Sequence, residues 1–278
     1  MGERAGFTVP IVRAMLWSAI AAAYSASALL KPFPPFRYVP DIPLGLDAAL
    51  SFIMAVLIAF RVNRAYERWW EARTLWGKLV NVSRNLAVKV RELPAVTESD
   101  CRAVRDLIVD FCTTLRDHLR GKPPASLQTA MPAGESKRRH VPSQVVQRLY
   151  GQFSRWQHES RLSAEQLWIL DAEARWLLEV CGACERIKTT LMPVSWRRVT
   201  TKAIVVYLLI LPWGLVEQFR WWTVPLTAVT AYFVITAEII ARHVEEPFGK
   251  NEDHLHLDRI CRTIDESVSE ILRDDADP

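Results

Sequence analysis

Cys181-Gly-Ala-Cys184 is a CxxC, the spacing at which two thiols can exchange a disulfide or share a metal ion. A redox CxxC opens a helix directly after a strand. This one lies inside a continuous helical pattern, so packing is its expected role. His254-x-His256, with Glu252, Asp253 and Asp258 nearby, offers nitrogen and oxygen donors, but no second ligand pair accompanies it. No metal and no cofactor are expected. The sequence carries no Ser/His/Asp order, no phosphate loop and no pair of acids at catalytic spacing, so it does not read as an enzyme.

Two other groupings are more pointed. Phe52, Val56 and Phe60 repeat at every fourth residue and stack along one helix face. A bulky apolar stripe in a helix ordinarily packs. Here the run FIMAVLIAFRVNRAYERWW (52–70) passes from apolar to charged with no turn signal between Phe60 and Trp70. One helix is expected to leave an apolar environment and continue into a polar one. Two acids also stand in apolar surroundings, Asp47 ahead of the stripe and Glu238 in a late apolar run. An acid inside a membrane segment carries a functional hypothesis by default. Arg242, four residues after Glu238, makes a helix-face ion pair the preferred reading there.

The elements that must position these residues follow from segregation. Half of the 278 residues are hydrophobic and 24% are charged, and the two kinds separate along the chain. Residues 1–63 and 200–242 are largely apolar, while charges crowd into 64–199 and 243–278. That is the pattern of membrane segments around a soluble domain with a soluble tail. Four spans are expected, at about 11–30, 44–62, 201–217 and 222–241. The first is rich in Ala and Ser, which favours helix against helix. Basic residues cluster after the second span and before the third, whereas the short connections at 31–43 and 218–222 hold only Lys31, Arg37 and Arg220. The middle domain and both termini are therefore expected to be cytoplasmic. Eleven tryptophans suit interfacial belts.

The middle domain shows no strand alternation. Helices are expected at about 64–93, 98–120, 142–158 and 162–190, with a loop over 121–141. The tail LDRICRTIDESVSEIL is amphipathic, with Leu257, Ile260, Cys261, Ile264, Val268, Ile271 and Leu272 on one face. The five cysteines all lie outside the apolar segments, which suits a reducing compartment. A net charge of +4 is too small to argue for nucleic acid, and basic residues at 61–91 are where membrane topology needs them.

The run FRVNRAYERWWEARTLWGKLVNVSRNLA (60–87) resembles the second-helix signature of bacterial bestrophin homologues. CGACERIKTTLMP (181–193), the LPWGL of the third span and EEPFGKNEDHLHLDRICRTID (245–265) follow in the same order. The resemblance implies an all-α membrane protein with four membrane helices and a helical cytoplasmic domain per subunit. It also implies a homopentamer around one axial pore. Phe52, Val56 and Phe60 then match the pore neck, where an apolar constriction gates by dewetting. A second constriction, the cytoplasmic aperture, falls on Glu165 in RLSAEQLW, which otherwise reads as a carboxylate at a helix start after Ser163. Asp47 is either an outer-vestibule carboxylate or a helix cap.

The resemblance puts the chain in the inner membrane of a bacterium, in contact with lipid and with permeant monovalent ions. Na⁺ and K⁺ are expected, on the glutamate at the exit and on the cation conduction associated with similar bacterial members. Anion conduction is the alternative. The run Lys250, Asn251, Glu252, Asp253, His254 departs from the acidic run of calcium-gated animal members, so gating by Ca²⁺ is not expected. A non-conducting scaffold, docking a partner on the amphipathic tail, is the competing reading from another class.

Overall fold

The computed structural model describes residues 9–34, 36–38, 42–121 and 140–273. Every regular element among them is helical: α1 (Val9–Ala26), α2 (Leu44–Glu92), α3 (Glu98–Leu119), α4 (Val141–His158), α5 (Ala164–Thr189), α6 (Val194–Phe219), α7 (Thr223–Glu245) and α8 (Leu257–Ile271). Single 3₁₀ turns follow α1 at Ser27–Leu30 and separate α6 from α7 at Arg220–Trp222. The expected loop at 121–141 lies, over 122–139, outside the described residues.

The chain divides into two units. One runs up to Arg68 and resumes over Leu191–Glu245; the other holds Trp69–Thr190 and the residues from Glu246 on. The tail is therefore not a separate piece. α2 is a single helix of 49 residues that passes from the first unit into the second without a break. At about 1.5 Å per residue it is roughly 70 Å long.

The first unit is built from α1, the first half of α2, α6 and α7. α1 packs chiefly on α7, and small residues make this possible: Ala14, Ser18 and Ala28 on the N-terminal side, Thr227, Ala231 and Ala241 on α7, all buried. Ser18 donates its hydroxyl to the Ala14 carbonyl (2.7 Å), so the buried polar group is satisfied inside its own helix. Met54 of α2 packs with Ile204, Tyr207 and Leu211 of α6. Large apolar side chains remain on the outside, among them Leu16, Trp17, Val205, Val229 and Phe233. A soluble surface rarely shows so much, whereas lipid or a partner helix accepts it. The α2 stretch and the α6–α7 stretch are both long and apolar enough to cross a membrane. α6 begins earlier than the apolar run does, because the helix starts after Pro193, which stands at its N-cap and has no N–H to offer.

The second unit has one core. Trp76, Leu79 and Leu86 of α2 meet Ile108 and Phe111 of α3, Phe153 and Trp156 of α4, and Leu170 and Leu177 of α5. α8 completes it: Leu257, Cys261, Ile264, Val268 and Leu272 are all buried there. The apolar face of the tail is thus already covered by its own chain, so the scaffold reading loses its docking face. α3 and α5 each begin with a capping box, Thr97 with Asp100 and Ser163 with Gln166, which satisfies two otherwise unpaired groups per helix start. All five cysteines are free and buried. Burial pushes the Cys181 thiol up to about 12 and the Cys261 thiol up to about 11, so neither is a ready nucleophile.

Candidate functional site

A step of four residues on an α-helix advances about 40° beyond a full turn, so Phe52, Val56 and Phe60 form a strip that drifts only slowly around α2. They are 71%, 36% and 59% exposed within the chain. The other side of the same turns is packed: Met54 is 5% exposed against α6, with Leu50 and Ile58 beside it. The Ser51 hydroxyl lies 3.0 Å from that of Tyr207, a polar tie between the same two helices. One face of α2 is committed to its own chain, and a large apolar strip is left open.

The residue after the strip is a charge shut from water. Arg61 is fully buried. Its Nη2 donates to Glu245 Oε2 at 2.7 Å, and its Nε stands 3.4 Å from Glu238 Oε2 as an ionic contact. Glu238 Oε1 accepts from Arg242 Nε at 2.7 Å, and Glu245 Oε1 accepts the Met192 N–H at 3.2 Å. Two guanidinium groups thus balance two carboxylates; Arg61, Glu238 and Glu245 are buried and Arg242 reaches in from the surface, half exposed, which is what makes burial of the three charges tolerable. The Glu238–Arg242 pair expected from spacing is present. Arg61 and Glu245 were not anticipated, although Glu238 and Glu245 are seven residues, two turns, apart and so share one face of α7.

Asp47, expected in an outer vestibule or as a helix-start carboxylate, lies in the first turn of α2 and is 4% exposed. It packs against Gly214 of α6: a Cβ built on that glycine would be 3.1 Å from Asp47 Cβ and Cγ. Glu165 lies in the first turn of α5 and is exposed. The Ser163 hydroxyl donates to its Oε2 at 2.7 Å. That bond and the backbone N–H at the helix start hold the Glu165 carboxyl below its usual range, so it is ionised at neutral pH.

His254 is buried. Its Nδ1 accepts the Asn251 N–H at 3.1 Å, and its ring occupies the space beside Gly249 where any Cβ would collide, 2.1 Å away. It braces a turn, and so does not pair with His256 as a ligand. Donors close enough for a metal occur instead at His118, His140 and Glu185 in the second unit. Nothing in their sequence spacing pointed there.

Regular structure that is helical throughout the described residues, with an exposed apolar strip on α2 and helices apt to cross a membrane, defines a class of membrane-embedded helical proteins. A family model described as Bacterial/Fungal Bestrophin protein matches residues 7–270, and the chain belongs to that family. The voltage-dependent anion channel-forming protein of Nostoc sp. (strain PCC 7120) is 30% identical over 80% of this chain and 75% of its own length. The voltage-dependent anion channel-forming protein YneE of Escherichia coli (strain K12) is 28% identical over 78% of this chain and 72% of its own. Two crystal structures of variants of a bacterial bestrophin homologue from Klebsiella pneumoniae match with TM-scores of 0.84 and 0.86, at 22% and 20% identity. They cover 92% and 94% of this chain and 98% and 99% of their own, and they share its fold. The family is one of ion channels, not of enzymes, and this chain is a membrane ion channel protein.

Proposed function

We propose that the chain is one subunit of a homopentameric channel in a bacterial inner membrane, with Phe52, Val56 and Phe60 lining its neck. α1, the first half of α2, α6 and α7 are the four spans, and both termini are cytoplasmic. The observation that carries this reading is the exposed strip on a helix whose opposite face is packed on α6. Five such strips around one axis would make three apolar rings. A narrow apolar tube sheds water unless it widens, which is a gate. Arg61, Arg64 and Arg68 follow the strip, as the positive-inside rule asks of a cytoplasmic side. Ca²⁺ is not expected to gate it, and Asp47 is left out of the pore because its carboxylate is buried.

The permeant ions are monovalent anions. The names of the curated relatives support this over the cations expected from the sequence. The neck has no charge to oppose it, and aromatic ring edges carry partial positive charge that an anion meets favourably. One observation favours cations as the second reading: Glu165 is exposed and ionised, and five copies at an aperture would repel anions.

The test is current through planar bilayers holding the purified protein in asymmetric NaCl. Reversal near the Cl⁻ equilibrium potential is expected. Reversal near the Na⁺ potential, moved by Glu165→Gln, would establish the second reading. Phe52→Ala and Phe60→Ala are expected to raise the current. If neither changes it, the strip does not line the pore.

A further inference from the structure

We propose that His118, His140 and Glu185 form a binding site for a divalent transition metal ion of the Zn²⁺ type, one per chain, within the helical second unit. Three separate helices converge on it. His118 is in the last turn of α3, His140 is the N-cap of α4, and Glu185 is in α5. The Nε2 atoms of both histidines approach the same oxygen, Glu185 Oε1, at 2.5 Å and 2.8 Å. One ligand atom from each residue lies within 4.8 Å of the others. Two imidazole nitrogens and a carboxylate oxygen are a donor set that suits zinc.

The geometry needs little adjustment. Ligand atoms at about 2.0–2.1 Å from a tetrahedral ion are about 3.4 Å apart. The carboxylate would draw back from the two nitrogens by less than about 1 Å to admit it. The side chains are 35%, 37% and 32% exposed, so an ion has a way in. The outer support exists as well. His140 Nδ1 accepts the Ser143 N–H at 3.2 Å and lies 2.5 Å from the Ser143 hydroxyl; with Nε2 on a metal, Nδ1 carries the proton and gives up that backbone bond, and the hydroxyl becomes its acceptor. A second hydrogen bond of this kind is what orients metal-bound histidines. The Cys181 thiol, one turn before Glu185 and 3.8 Å from His140 Nε2, is the donor nearest a fourth position. The fourth ligand is either that sulfur, deprotonated by the metal, or a water.

An ion here would tie α3, α4 and α5 of one chain together at a point where the apo protein has only shared hydrogen bonds. The role is structural, and independent of which ion the channel conducts.

The experiment uses the full-length protein in detergent, stripped with a chelator and dialysed against ZnCl₂, with bound metal counted per chain by mass spectrometry. About one Zn²⁺ per chain is expected. A His118→Ala and Glu185→Gln double substitution is expected to weaken binding by at least about tenfold. Equal binding by wild type and double variant would overturn the proposal. Because substitutions here touch helix packing, the wild type is also titrated with Co²⁺. The intense visible absorption of a tetrahedral site is expected, and a weak octahedral spectrum would overturn the proposal with no variant involved. Cys181→Ser reads the fourth position: loss of the sulfur-to-metal charge-transfer band assigns it to the thiolate.

Discussion

Arg61 Nη2 stands 2.7 Å from Glu245 Oε2, and both side chains are closed to solvent, at 0% and 1% exposure. Phe60 and Arg61 are neighbours on a helix, so they point about 100° apart. Holding Arg61 inward against α7 holds Phe60 outward. The ion pair therefore sets the rotation of α2 about its own axis, and with it the direction of the whole Phe52, Val56, Phe60 strip.

Arg61→Ala removes one of the two guanidinium groups that face Glu238 and Glu245. Glu238 then keeps Arg242, while Glu245 is left with the Met192 N–H. Removing one partner of a buried ion pair costs about 3–5 kcal/mol. The expected result is a clear drop in the apparent melting temperature of the detergent-solubilised protein. Arg61→Lys should recover little, because one ammonium cannot copy the guanidinium fork that reaches both acids. A variant that melts with the wild type would show that the pair contributes nothing.

Gly214 of α6 lies directly against Asp47 in the first turn of α2. A methyl group there would be 3.1 Å from both Cβ and Cγ of Asp47, inside van der Waals contact with atoms that sit on a helix and cannot swing far. Overpacking of this kind costs about 1–3 kcal/mol, so Gly214→Ala is expected to destabilise by that much. Asp47→Ala in the same background removes Cγ but not Cβ and should restore part of the loss. A double-mutant cycle measures it. A coupling of zero would mean the two helices part freely at this point.

Local features could be read from the sequence, because their causes are local. The four-residue repeat of Phe52, Val56 and Phe60 is helical arithmetic; that the strip is left open is not, because spacing alone favours packing. Ser163 with Gln166 is a capping signature that folding realises as written. The face of 257–272 was legible too, but not what covers it: the core formed by α3 and its neighbours comes from far along the chain. Long-range partners were the loss. Arg61 read as one more basic residue after a span, since its acids lie 177 and 184 positions on. His118, His140 and Glu185 come together only when α3, α4 and α5 pack. Asp47 read as an outer-vestibule carboxylate or a helix cap, because nothing local told that Gly214 would press on it.

The α4–α5 connection holds a residue in an unfavourable conformation. Ser160 has φ of 58°, the left-handed region that L side chains rarely adopt. It follows the C-cap Glu159, and its N–H bonds the Gln157 carbonyl at 3.0 Å. Arg161 N–H reaches back to the Trp156 carbonyl at 2.9 Å, completing a Schellman ending in which glycine is the usual occupant. Ser160→Gly is expected to stabilise the protein by about 1 kcal/mol, less the extra chain entropy a glycine loses on folding. Denaturant unfolding monitored by helical circular dichroism checks the sign. Destabilisation would mean that the Ser160 side chain contributes more than its backbone costs.

Asp100 makes stability depend on pH in a direction that can be worked out. It lies in the first turn of α3 and is 14% exposed at its side chain. Burial by itself would push its carboxyl up. Opposing that, the Arg161 guanidinium contacts Oδ2, which also accepts from the Thr97 N–H (2.9 Å) and hydroxyl (2.7 Å). The Trp156 indole N–H donates to Oδ1 at 3.2 Å. Together these donors win and hold Asp100 well below the usual carboxylate range. A carboxyl whose folded pKa is depressed binds protons more readily in the unfolded chain. Its stabilising share is therefore complete above the unfolded value of about 3.9 and drains away as pH falls below it, toward the folded value. Asp100→Asn is expected to lower stability by about 2 kcal/mol at pH 7, the usual loss for hydrogen bonds to a charged group. The gap from wild type should hold steady down to about pH 5 and then narrow through pH 4. Melting temperatures of the two proteins across that range decide it, since a gap that stays constant below pH 4 would mean Asp100 is not the ionised acceptor that this geometry makes it.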